Sequence, residues 1–138
     1  MLAYAVSLLA ARIATLLCVV TIALPYLWRG NRRSRIGRAQ ELAVPYLRRL
    51  RPHFWTGYVI LGLSTLHAGT AMGGMKRANG VGVWAATVAF FLLVYEVAVG
   101  LVLKDQRVDG RPSLRRIHFW IMLAFATTLV LHLAMNGV

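Results

Sequence analysis

The sequence predicts an all-α fold, a membrane-spanning four-helix bundle. Three observations carry that expectation. The chain holds four apolar runs, each about as long as a bilayer crossing. Of its 138 residues 59% are hydrophobic, and yet the formal net charge is +12. The basic residues cluster between the runs, as they do in the connections of membrane proteins. Runs of this length do not suit a soluble basic domain, so nucleic acid is not an expected partner. The length is that of one domain covering residues 1–138.

The first span is expected over residues 2–28, interrupted only by Arg12. It lacks a basic leading region and a small-residue cleavage site, and is therefore read as a retained span. Pro25 is expected in its last turn and Trp28 as an interfacial anchor. An arginine-rich connection follows, and Ile36 to Tyr46 within it suits a short interfacial helix interrupted by Pro45. The second span is expected over 53–72. The glycines of the next connection (Gly73, Gly74, Gly80, Gly82) read as a turn region. The third span is expected over 83–103, a polar loop over 104–115, and the fourth span over 116–135.

The basic residues also give the orientation. The first and third connections hold 8 and 5 of them, counting Arg115 and Arg116 with the third, and the second holds 2. The positive-inside rule then puts the first and third connections in the cytoplasm. Both termini would face the periplasmic side of a bacterial inner membrane. Spans two and four would run parallel, from inside to outside.

Only four histidines occur, and they form a repeat. Arg51-Pro52-His53-Phe54-Trp55 and His67 match Arg116-Ile117-His118-Phe119-Trp120 and His132 at an offset of 65 positions. Each pair is 14 residues apart. On an α-helix that is roughly 21 Å of rise and nearly four full turns, so both rings share one face at two depths. Parallel spans then pair His53 with His118 near the cytoplasmic surface and His67 with His132 near the outer one. Four imidazoles in two facing pairs suit two stacked six-coordinate haems between the second and fourth helices. A lone intramembrane histidine is as readily a buried polar residue satisfied between helices; two matched pairs are harder to explain in that way. Zinc or copper would need ligands converging on one point. Cys18 stands alone, and without a C-x-x-C-H motif covalent haem attachment is excluded.

The neighbours of these histidines leave alternatives open. Gly57 on the same face suits either a porphyrin lying close to the backbone or an ordinary helix contact. Arg51 and Arg116 suit either the propionates of the inner haem or anionic lipid headgroups at the surface. Lys76 or Arg77 would serve a propionate on the outer side. Arg12 lies nearer the outer surface, within reach of an outer propionate, and Glu96 nearer the inner one. Trp55 and Trp120 suit packing on the inner haem or interfacial anchoring. Glu96 suits a proton acceptor or a hydrogen-bonded group between helices.

This pattern resembles the dihaem four-helix bundle at the N-terminal end of cytochrome b in quinol–cytochrome c reductases. More distantly it resembles the haem domain of ferric reductases and NADPH oxidases. The resemblance rests on His53, His67, His118 and His132, and on the passage Leu66-His67-Ala68-Gly69. It implies two haem b groups with those four residues as axial ligands. It also implies electron transfer across the membrane within a larger redox complex, and partners that are a quinone pool or an extrinsic redox protein. The chain departs from the family in lacking a Pro-Glu-Trp-Tyr type loop, so no complete quinol-oxidation site is implied. On these terms the chain is an electron-transfer subunit and not an enzyme alone. A second expectation, of another class, is a membrane anchor for an extrinsic enzyme with haem incidental or absent. A third is a small quinone or metal reductase active without a partner.

Overall fold

The computed structural model describes residues 2–31, 50–71, 79–105 and 109–136, with backbone alone for 28–31. Among the described residues it is all-helical. Four helices follow in order: α1 (Leu2–Asn31), α2 (Arg51–Ala71), α3 (Gly80–Lys104) and α4 (Arg111–Asn136). The expected interfacial helix from Ile36 to Tyr46, the Trp28 side chain, Lys76 and Arg77 lie outside the described residues.

Three of the helices are long and apolar enough to cross a membrane: Leu2–Leu27, Gly80–Lys104 and Arg111–Asn136. This is a membrane protein. Helix α2 is 21 residues long, a rise of about 31 Å against a hydrocarbon core of about 30 Å. Its histidine, glycine, serine and threonine residues leave it without a stretch as apolar as those of the other three.

Antiparallel hairpins organise the fold. Helix α1 packs along α2, and α3 along α4, while α2 and α3 touch over a shorter stretch. Each hairpin is zipped by small residues. On α1 the buried stripe is Ser7, Ala10, Ala14, Cys18 and Thr21. On α3 it begins Gly82, Ala85, Ala89 and Leu93. These three- and four-residue steps keep one side of the helix against its neighbour. In lipid there is little hydrophobic drive between helices, so close backbone approach and dispersion hold them. The large apolar side chains point outward instead; Leu16 is 65% exposed and Phe91 67%. Thr15, Thr65, Thr70, Thr87, Thr127 and Thr128 each return their hydroxyl proton to the carbonyl four residues earlier. No water is then needed at those positions.

Helix boundaries differ from expectation in two instructive places. Helix α4 begins at Arg111, five residues before the expected start. Gly110 turns the chain at φ 74°, Leu114 N–H donates to the Gly110 carbonyl at 3.1 Å, and Pro112 sits in the first turn, where its missing N–H costs no bond. Helix α1 runs through Pro25 to Asn31 instead of ending near the proline. The other ends agree within a few residues. Asn79 caps α3 by accepting from Val81 N–H at 2.9 Å, an ordinary role for a short amide side chain.

Candidate functional site

The histidine rings pair between α2 and α4. His53 and His118 have ring centres 6.2 Å apart with planes at 78°. His67 and His132 have centres 6.4 Å apart with planes at 65°. The pairing is the one that parallel α2 and α4 require. Midway along each helix, seven residues from either histidine, stand Ile60 and Phe125. Both are buried, and with Cys18, Ala89 and Leu93 they form the apolar core between the two pairs.

Every ring is held from the neighbouring helix of its own hairpin, and always through Nδ1. His67 Nδ1 lies 3.1 Å from the Ser7 carbonyl and 2.9 Å from the Ser7 hydroxyl. His53 Nδ1 lies 3.2 Å from the Thr21 carbonyl. His132 Nδ1 lies 2.9 Å from the Gly82 carbonyl. His118 Nδ1 lies 3.1 Å from Glu96 Oε1 without making a hydrogen bond. Carbonyl oxygens only accept, so the Thr21 and Ser7 contacts put the ring proton on Nδ1 of His53 and His67. His132 has a competing neighbour in Asn136 Nδ2 at 3.0 Å. The Gly82 carbonyl asks for a proton on Nδ1 and the amide for a lone pair, so either tautomer of His132 has a partner. On His53 and His67 Nε2 then carries a free lone pair, the form in which imidazole binds a metal.

The fit at Gly82 is close. A Cβ there would collide with the Asn136 side chain. That side chain also accepts from Asn79 N–H at 3.3 Å, which ties the end of α4 to the start of α3 beside His132.

A cavity of about 290 Å³ opens around His53 and His118. Its wall includes Gly57, Met122 and Phe125, and the polar groups Glu96, Arg111 and Arg115. Gly57 faces open space, since a Cβ there would meet nothing within 4 Å. Among the described residues, the buried polar atoms without a hydrogen-bond partner are Thr21 Oγ1, Glu96 Oε2, Arg111 Nε and His118 Nδ1. All four residues line this one cavity. Unpaired buried polar atoms are costly, and these four gather at one cavity whose wall is otherwise mostly apolar.

The expected basic residues are not the ones at this cavity. Arg51 and Arg116 are exposed and form no part of its wall. Each stands two positions before a histidine, about 200° around the helix from it. Arg111 and Arg115 are placed there instead, seven and three residues before His118 and so on its face. Arg111 also donates Nη2 to the Leu103 carbonyl at 3.0 Å. The i, i+4, i+7 spacing of Arg111, Arg115 and His118 was the available signal. Arg12 is exposed on the flank of α1 away from Ala10 and Ala14, and Trp55 and Trp120 also point outward. Glu96 faces His118 and not Arg12.

Among the described residues no three His, Cys, Asp or Glu side chains converge as a metal centre. Metal–imidazole bonds are about 2.0–2.1 Å, and Nε2 is roughly 1.1 Å from its ring centre. Two imidazoles across one metal therefore have centres roughly 6.3 Å apart, the spacing of both pairs. The ring-centre spacing of each pair is thus compatible with one metal between its two rings. Comparison with known proteins matches the chain to no protein family, no curated relative and no solved structure.

Proposed function

We propose that the chain is a b-type dihaem electron carrier, an integral subunit of a membrane redox complex. The observation that supports this most is the pairing of the four rings. Each is anchored through Nδ1 on the adjacent helix, and the paired rings stand 6.2 and 6.4 Å apart. Haem asks for two protein donors per iron, so a three-donor cluster is not needed. Held by His53 with His118, or by His67 with His132, it would supply a one-electron couple.

The residues divide the work. His53 and His118 would hold one haem, and His67 and His132 the other, with α2 as the fourth span. The carbonyls of Ser7, Thr21 and Gly82 and the Glu96 carboxylate lie against Nδ1 of the rings and would orient them. Arg111 Nε and the Arg115 guanidinium supply positive charge for carboxylate groups entering the cavity beside His53 and His118. Gly57 leaves space for a flat ring edge. Ile60 and Phe125 exclude water between the two positions, which lie roughly 21 Å apart along the helices. With the arginine-rich connections in the cytoplasm, electrons would cross between a cytoplasmic and a periplasmic surface. A quinone or an extrinsic redox protein would stand at either end as donor and acceptor.

A reduced-minus-oxidised pyridine haemochrome spectrum of the purified chain, with haem measured per polypeptide, tests this. Two b haems per chain are expected. Folded protein with no haem, after expression with haem supplied, overturns the proposal and leaves the anchor function.

A further inference from the structure

The two hairpins are copies of one design, and they differ at one anchor. Helices α2 and α4 superimpose in sequence at an offset of 65, which aligns His53 with His118, Ile60 with Phe125, and His67 with His132. Helices α1 and α3 align at an offset of 75: Ser7 with Gly82, Ala10 with Ala85, Ala14 with Ala89, Cys18 with Leu93, Thr21 with Glu96, and Pro25 with Gly100. The anchors obey both offsets. Ser7 and Gly82 each give a backbone carbonyl to the outer histidine of their hairpin. At the inner histidines, Thr21 gives a carbonyl to His53, whereas Glu96 gives a carboxylate oxygen to His118.

Pro25 and Gly100 explain the substitution. A proline inside a helix has no N–H for the carbonyl four residues back. Pro25 therefore frees the Thr21 carbonyl for His53. Gly100 keeps its N–H, so the Glu96 carbonyl stays in the helix ladder. The Glu96 side chain, 14% exposed, takes its place at His118.

Resting on the dihaem proposal, we infer that Glu96 is a positioning residue that makes the two haem sites electronically unequal. It orients His118 through Nδ1, and it lowers the reduction potential of the His53–His118 site alone. Its oxygen lies 3.1 Å from Nδ1 without a hydrogen bond, and a negative charge so close to a ligand ring pushes electron density towards the metal in a way that a carbonyl does not. That stabilises the ferric over the ferrous ion. The His67–His132 site, anchored by carbonyls on both sides, receives no such push.

The test is a redox titration of the purified holoprotein, wild type and Glu96→Gln, followed through the haem absorption bands and low-spin EPR signals. Two midpoints are expected in wild type, and the variant is expected to raise one and leave the other unchanged. The shifted component is assigned to the inner site by its absence from His53→Ala. Glu96→Asp, which keeps the charge but withdraws the oxygen, is expected to give a smaller rise of the same midpoint. Two unchanged midpoints in Glu96→Gln overturn the inference while leaving the dihaem proposal standing; absence of haem from wild type defeats that proposal itself. If Glu96→Gln loses its inner haem, the wild type labelled with ¹³C-glutamate decides by redox-difference infrared spectroscopy. A carboxylate band that shifts on reduction of the inner haem supports the role of Glu96, and an unmoved band overturns it.

Discussion

Replacing His67 with alanine separates the two positions most cleanly. The change removes one of the two rings of the outer pair and leaves the Ser7 carbonyl and hydroxyl without their Nδ1 partner. One buried acceptor left unpaired costs about 1–3 kcal/mol, a loss that a bundle zipped along its whole length tolerates. The inner pair is roughly 21 Å away along the helix and keeps its own anchors on Thr21 and Glu96. Sites separated by more than about 7–10 Å and sharing no partner respond independently. Haem content is therefore expected to fall from two to one per chain, with the inner signal unchanged. His53→Ala should give the same stoichiometry and lose the other signal. The assay is the pyridine haemochrome per polypeptide, with helix content checked by circular dichroism. A folded His67→Ala protein that keeps both haems, or loses both, refutes independent two-ligand sites.

Three further outcomes follow from particular contacts. The ring planes cross at 78° and 65°, which would leave the π-type orbitals of an iron held by them nearly degenerate, so a ferric haem protein is expected to show strongly anisotropic low-spin EPR signals; ordinary rhombic signals from both haems would contradict the ring orientations. Arg115→Ala is expected to weaken haem retention at the inner position during detergent washing, whereas Arg116→Ala is not; equal effects would count against the cavity-facing assignment. Phe125, 7% exposed, fills the space between the pairs, and Phe125→Ala is expected to destabilise the bundle by up to about 3–5 kcal/mol. The loss should fall at the lower end because lipid weakens the hydrophobic share, and an unchanged thermal midpoint would show that this core is not needed.

Much of the frame was legible without coordinates. Apolar runs gave the four helices, and the 14-residue histidine spacing gave the shared face, because both depend on local periodicity. The parallel sense of the second and fourth helices followed from connectivity, and with it the pairing of His53 with His118 and of His67 with His132. The start of α4 was less legible: polar residues from Arg111 to Arg115 resemble a loop, but helix entry at Gly110 and Pro112 is a matter of backbone geometry and not of polarity.

The anchors were decided by tertiary structure. Three of the four are backbone carbonyls, which no side-chain pattern announces, and they lie 32 to 60 positions from their histidines. Sequence proximity pointed to Arg51 and Arg116, although a two-residue step turns a side chain to the far side of a helix; Arg111 and Arg115 reach the cavity because their steps return to the His118 face. Pro25 looked like the end of a helix and proves to be the residue that releases the Thr21 carbonyl within one. Sequence thus determined which residues share a face, since helical periodicity is local. Which group meets which Nδ1, and why Glu96 stands where Thr21 needs only its backbone, depended on how two hairpins pack against each other.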